Sequence, residues 1–337
     1  MRFPGDSTPS LFPRPTVMSA KIPSFFPTNE NLPMHNLTTN KLRTLRRSLI
    51  TLTCLLLTLN ASLAQAPSQA PPQSEEQPVT ALQPQWRSLL GDTLSGWETW
   101  MGVPHQSVAG LPPIPDDRKG LPLGLNNDVK LVFSVIKIDG EPVLHVTGEI
   151  FGGISTLESF GNYHLQLETR WGTKRWEPRA TAKRDSGLLI HCQGQHGAFG
   201  KNWKKCLECQ VQEGDLGDLF PLAGPRADVR QVIVNNIGFY SPTGELMPAK
   251  QRVAHLQGDF EKTNGEWNLI DVYTIGQKAV FVVNGHVVNV IENTRTNKDI
   301  PLVSGQIQLQ SEGAEVEYRR IRIQAITQFP KELNVEP

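Results

Sequence analysis

From Val129 onward the chain holds no helical period; it runs as short alternating apolar and polar segments cut by turn dipeptides. Side chains of a strand point alternately to opposite faces, so a two-residue period marks a half-buried strand. Residues 131–138 and 143–147 flank Asp139-Gly140, which has the turn chemistry of a tight reversal. Residues 267–275, 278–284 and 286–292 read as a meander cut by Gly276-Gln277 and Asn284-Gly285, the latter the strongest hairpin signal in the chain. Residues 305–310 and 315–323 form a last hairpin. A clean strand over 163–170 puts Tyr163, Leu165, Leu167 and Thr169 on one face and His164, Gln166, Glu168 and Arg170 on the other. Residues 230–234 read as a strand and 238–250 as loop. Many short strands with Gly-rich turns predict an all-β sandwich or barrel.

The N-terminal part has another texture. Lys41, Arg43, Arg46 and Arg47 precede an apolar run, 49–59, that is short for a bilayer span, and Ala64-Gln65-Ala66 fits small-x-small cleavage. Residues 41–66 are therefore expected to be a secretory signal cleaved after Ala66. The mature chain is expected to be secreted or periplasmic, with no stable membrane insertion. Residues 1–40 read as a disordered extension, or as a start placed ahead of Met34. Residues 67–85 are a Pro/Gln-rich linker, 86–327 the folded domain and 328–337 a tail. With 33 basic and 33 acidic residues the chain offers no general electrostatic attraction for nucleic acid. Nothing in the pattern sets an oligomeric state.

The richest stretch is 185–220, where two strand-like runs, 186–193 and 206–212, flank a Gly-rich loop. Pairing them with Cys192 opposite Cys209 sets His191 against Gln210 and Gln193 against Glu208. One face then gathers His191, Glu208, Gln210 and Gln212. Beyond the signal three cysteines remain: Cys192, Cys206 and Cys209. The C-x-x-C at 206–209 lies in a strand pattern, unlike a thioredoxin-type motif, and lacks the second ligand pair of a zinc site. A cross-strand Cys192–Cys209 bridge or simply buried thiols are the readings left. No metal site is assigned and no cofactor is expected; a divalent cation stays open, since scattered Asp, Glu and His lack a linear motif. Asp215 and Asp218 read as turn residues, and the Lys201–Lys205 cluster as a solvated loop.

Gly96-Trp97, Arg184-Asp185-Ser186-Gly187, the run from Glu208 to Gly214, Gly265-Glu266-Trp267-Asn268, the run from Gly305 to Gln310, and the closing Val316-Glu317-Tyr318-Arg319-Arg320-Ile321 occur in an order that resembles the 3-keto-disaccharide hydrolase domain family. The resemblance spans roughly residues 89–325. It departs at Asp185, where many members carry Asn before Ser-Gly. It implies a concanavalin A-like jelly-roll sandwich of two antiparallel sheets, a carbohydrate substrate, and hydrolysis of glycosides oxidised at C3. The ketone acidifies the C2 proton; a base removes it, the enolate expels the anomeric group, and water adds. For these roles the sequence offers Glu208 as base, His191 as donor to the leaving group or as orienter of Glu208, and Lys183, Arg184 or Arg170 beside the enolate oxygen. Gln210 and Gln212 suit sugar hydroxyls, Trp176 and Trp203 a stacking wall, and Glu168 and Arg170 either the substrate or a cross-strand charge pair. Two alternatives remain: a non-catalytic carbohydrate-binding module, and a laminarinase-like retaining glucanase using Glu208 and Glu213 with Gln210 in place of a central carboxylate.

Overall fold

The computed structural model describes residues 79–81, 83–111, 120–258 and 260–335. The expected signal, the N-terminal extension and most of the linker lie outside them. The strands in chain order are β1 (Arg87–Ser88), β2 (Trp97–Met101), β3 (Gly124–Leu125), β4 (Phe133–Ile138), β5 (Glu141–Val146), β6 (Gly152–Thr156), β7 (Tyr163–Arg175), β8 (Asp185–Gln193), β9 (Lys205–Gln212) and β10 (Leu219–Leu222). They continue as β11 (Arg226–Val234), β12 (Ile237–Tyr240), β13 (Glu245–Pro248), β14 (Val253–Ala254), β15 (Asn268–Ile275), β16 (Lys278–Val283), β17 (His286–Arg295), β18 (Gln306–Ser311) and β19 (Ala314–Ala325). Among the described residues the only helix is a 3-10 turn, Lys331–Leu333, and no helix is long and apolar enough to cross a membrane.

Hydrogen bonding arranges the strands in two layers. The front layer runs β3-β2-β6-β18-β8-β9-β10-β14-β12, antiparallel except between β14 and β12. The back layer runs β4-β5-β19-β7-β15-β16-β17. Strand β11 bonds to β17 through its first half and to β12 through its second, and so joins the layers. This is the expected jelly-roll sandwich. Its core holds Ile154, Leu188, Ile190, Leu207 and Leu309 from the front and Leu144, Leu165, Leu167, Val272, Phe281 and Val316 from the back. Each such side chain, removed from water, contributes about 1.5–3 kcal/mol. Both turns read from sequence form: Asp139 and Gly140, and Asn284 and Gly285, all have positive φ, as a type I′ turn requires. The expected loop at 238–250 instead contains β12 and β13. The turn before it, Asn235-Asn236, uses two asparagines at positive φ, and Gly and Pro punctuation masks the short strands that follow. Phe329, Leu333 and Val335 of the C-terminal segment pack on Tyr273, Val280 and Val282 of the back layer.

Strands β8 and β9 pair four residues away from the expected register: Leu188, not Cys192, lies opposite Cys209. The ladder then breaks. Ile190 pairs with Leu207 and Gln193 with Lys205, which leaves His191 and Cys192 facing Cys206 alone. Two residues against one is a β-bulge. His191 takes φ of 52°, a left-handed conformation rare for a residue with a Cβ. The bulge inverts the alternation. His191 turns inward beside the core residue Tyr163, with ring centroids 6.1 Å apart, and Cys192 turns to the front. The expected grouping of His191 with Glu208 therefore does not form. Neither is a Cys192–Cys209 bridge present: both thiols are free, Cys209 in the main core and Cys192 on the opposite side of the sheet.

His191 is fully enclosed, and neither ring nitrogen has a hydrogen-bond partner. Burial pushes its pKa down from 6.5 to about 4, so the folded protein holds it neutral. Between these values the unfolded chain binds the extra proton, and the contribution of His191 to stability, complete above pH 6.5, is lost as pH falls towards about 4. In His191→Asn, which tolerates the left-handed backbone, the unfolding free energy should lose up to about 1.4 kcal/mol per pH unit of slope in that window relative to wild type. Denaturant titrations across the window measure this; parallel profiles for the two proteins would contradict it.

Candidate functional site

The front layer is buried on both faces at its centre. Strands β18, β8 and β9 carry apolar side chains towards the core and a mixed set outward. Across the outward face, register sets Glu98, Ser155, Gln308, Leu189, Glu208 and Phe220 in one row. The neighbouring row is Trp100, Gly153, Gln310, Gly187 and Gln210. Asp185 opposes Gln212 in the row beyond, and Glu312 follows β18.

Glu208 is 4% exposed. Its room comes from Gly187: a Cβ there would lie 2.2 Å from Glu208 Oε1 and 2.6 Å from Gln310 Oε1. Near Glu208 stand two more carboxyls, Asp185 and Glu312, which share one guanidinium. Arg179, from the segment before β8, places Nη2 2.6 Å from Asp185 Oδ2 and Nη1 3.8 Å from Glu312 Oε1. Gln212 donates its amide N–H to Asp185 Oδ2. Three acids and one cation in a largely dry patch cannot all be charged. Burial pushes Glu208 well above the usual carboxylate range, Asp185 adds to the rise, and the Gln310 side chain opposes it. Burial and the neighbouring Asp185 likewise raise Glu312, against Arg179. Asp185 is lifted by burial to about 7, against Arg179, Gln212 and the Ser186 N–H, which favour its anion. At neutral pH the patch therefore holds both a proton donor and a group able to accept a proton.

Lys183 and Arg184 sit at the end of this patch, already paired. Lys183 Nζ lies 2.7 Å from Asp215 Oδ2, and Arg184 Nη1 lies 2.7 Å from Glu213 Oε1. Asp215 and Asp218, expected as turn residues, also build an ion network: Arg252 joins the two, and Asp218 Oδ1 takes the His255 N–H at 2.6 Å. Glu213 accepts from the Arg184 N–H and pairs with Arg175, so it turns to these cations rather than forming a pair with Glu208. Gln210 Oε1 accepts from the N–H of Val211. Trp203 is buried against Phe151 and Phe199 and donates to Gly152 O, which removes it as an open stacking wall. Trp176 is half-buried and donates to Thr147 O at 2.8 Å. Glu168 and Arg170 belong to the back layer. There Glu168 binds Arg319 and Arg320, Arg170 binds Glu317, and the Arg170 and Arg319 guanidiniums flank Trp267. They form a charge ladder with β19 and not part of this face.

Sequence reasoning missed Arg179, Glu312 and Gln310, and it treated Asp185 only as a departure from a pattern. It also missed a second polar group on the same face. His196 stacks on Trp100 at 5.5 Å and meets Glu98 Oε1 at 2.9 Å. Lys204, from the expected solvated cluster, is 5% exposed, and its backbone N–H donates to Gln308 Oε1. Four strand spacings of about 4.8 Å put Glu98 about 19 Å from Glu208, too far for the two to act on one bond. Among the described residues no group of three or more His, Cys, Asp or Glu converges to hold a metal ion.

Gly187→Ala should test the packing of the patch. The added methyl must displace Glu208 or Gln310, at about 1–3 kcal/mol of stability, and an activity that needs Glu208 in place should fall more than the melting temperature does. Unchanged stability and activity would show that the carboxyl has free room elsewhere.

Comparison with known proteins adds to this picture. The domain family described as "3-keto-alpha-glucoside-1,2-lyase-like domain" matches residues 85–324. None of the curated proteins is significantly similar to the chain. Among solved structures, a candidate glycosyl hydrolase of Parabacteroides distasonis is 16% identical, covers 72% of this chain and 100% of its own, and superposes with a TM-score of 0.41. A carbohydrate-binding module, CBM66 of Bacillus subtilis, is 10% identical over 57% of this chain and 92% of its own, at 0.34. A β-glucanase of Bacillus licheniformis is 10% identical over 57% and 82%, at 0.30. The family match covers nearly all of the sandwich and supports a carbohydrate-processing function: the chain belongs to the 3-keto-alpha-glucoside-1,2-lyase-like domain family.

Proposed function

We propose that the protein cleaves the anomeric C–O bond of a 3-keto glycoside by elimination, with the patch around Glu208 as its acid–base centre. The observation that carries this is the grouping of three carboxyls, Asp185 and Glu312 on one guanidinium and Glu208 close enough to feel both, with affinities for protons pushed apart. Asp185 is the base. With a pKa of about 7 it is part-ionised at neutral pH and still basic enough to take the C2 proton that the neighbouring ketone acidifies. The electron pair moves into the enolate, with negative charge growing on the C3 oxygen. Collapse of the enolate expels the anomeric oxygen, which takes a proton from Glu208. The product is an enone with a C1–C2 double bond, and water added across that bond gives the 3-keto sugar. Glu208, expected from sequence as the base, is thus given the acid's role, because burial keeps it protonated. Arg179 is the cation nearest the acids and, with Lys183 at the rim, the group to oppose charge on the enolate. His191, in the core, has no part.

The reading predicts how rate depends on pH. The kcat/KM for a 3-keto disaccharide should rise as pH passes through about 7, where Asp185 ionises, and fall again where Glu208 gives up its proton. Asp185→Asn should remove the rising limb and lower turnover by about 10²–10⁴. Glu208→Gln should lower turnover similarly. It should fold at least as stably above pH 7, because it replaces a carboxyl whose raised pKa costs stability once pH climbs towards that pKa. Full activity in a folded Glu208→Gln protein, equal cleavage of the unoxidised disaccharide, or binding without cleavage would each refute the proposal.

A further inference from the structure

The bulge in β8 has a second effect, independent of the carboxyl patch. By facing His191 and Cys192 against Cys206, it brings two of the domain's three cysteines together on the front of the sheet. Burial, and then the neighbouring Cys192, raise the Cys206 thiol well above its usual range, and Cys192 Sγ donates to Leu189 O at 3.6 Å. Both lie in one small apolar cluster with Leu189, Leu222 and Trp203. Opposed residues of an antiparallel pair have Cα atoms about 4.5–5.5 Å apart, inside the range of about 4.4–6.8 Å that a disulfide bridges. Cys209 lacks this geometry: it is three residues on in the same strand and points into the main core.

We infer that Cys192 and Cys206 are a disulfide-forming pair whose bond staples the two ends of the loop between β8 and β9. That loop carries His196 onto Trp100 and Trp203 onto Phe151, so it folds back over the outward face of the front layer. The chemistry is thiol–disulfide exchange with a small-molecule disulfide. One cysteine thiolate attacks it and releases one small thiol; the second cysteine thiolate attacks the mixed disulfide and releases the other. The protein loses two electrons and two protons, and the small disulfide gains them. Cys192 and Cys206 are almost wholly buried in the folded protein, so the exchange belongs to folding, before the apolar cluster closes over them.

The test follows from that timing. The full chain is reduced in denaturant and refolded by dilution into a mixture of glutathione and glutathione disulfide. Remaining thiols are blocked with N-ethylmaleimide, and the protein is digested without reduction, with cleavage on both sides of Glu208 to part Cys206 from Cys209. Mass spectrometry should find the Cys192 and Cys206 peptides joined and Cys209 carrying the maleimide. Cys209→Ser should keep the joined pair and Cys206→Ser should abolish it. Reductant should lower the unfolding midpoint of the refolded wild type and leave that of Cys206→Ser unmoved. Recovery of Cys192 and Cys206 both blocked in refolded wild type, or of Cys209 in the bond, would overturn the inference. The wild-type peptide map decides the matter even if Cys206→Ser does not fold.

Discussion

Three adjacent strands are shut off from water on both sides, yet one of those sides is polar. Strands β18, β8 and β9 have scarcely an exposed residue, and their outward face still carries Gln308, Gln310, Asp185, Glu208 and Gln210. A polar group taken from water must find a partner or give up its charge. Here both happen. The Gln308 and Gln210 amide oxygens find backbone N–H partners, whereas the acids outnumber the single guanidinium beside them and rise in pKa. The chemistry proposed for the site is that imbalance put to use. An ordinary wet sheet face would leave its carboxylates at their solution values and do nothing with protons near neutral pH.

Much of the architecture was legible in the chain. Alternation located most of the strands, and Asp139-Gly140 and Asn284-Gly285 located two hairpins, because a two-residue period and a positive-φ turn are local properties that a sequence states directly. Motif order gave the family, and with it the sandwich. The parity of β9 was right as well: Cys206, Glu208 and Gln210 do share a face opposite Leu207, Cys209 and Val211.

What could not be read was how strands meet. The pairing of β8 with β9 was expected four residues out of place, because nothing in either run distinguishes one even shift from another. The bulge was invisible for a related reason: His191 adopts a backbone conformation uncommon at any residue with a Cβ, and nothing in the run marks that position as the one to adopt it. That one residue sent the imidazole into the core and brought Cys192 to the front. Arg179 and Glu312 come from segments that sequence alone marks as connections, and only the closed fold brings them to Asp185. Glu168 and Arg170 show the converse. Their alternation was correct, but alternation does not say which layer a strand joins.

Strand β11 gives its first half to one layer and its second half to the other. The layers are thus continuous along that margin, as leaves are at a spine, and neither can melt without stripping the ladder that the other depends on. Heat should therefore meet this sandwich as a single cooperative body. The imbalance of charge at the acid patch is then borne by every strand at once and cannot be relieved by loosening the front layer alone.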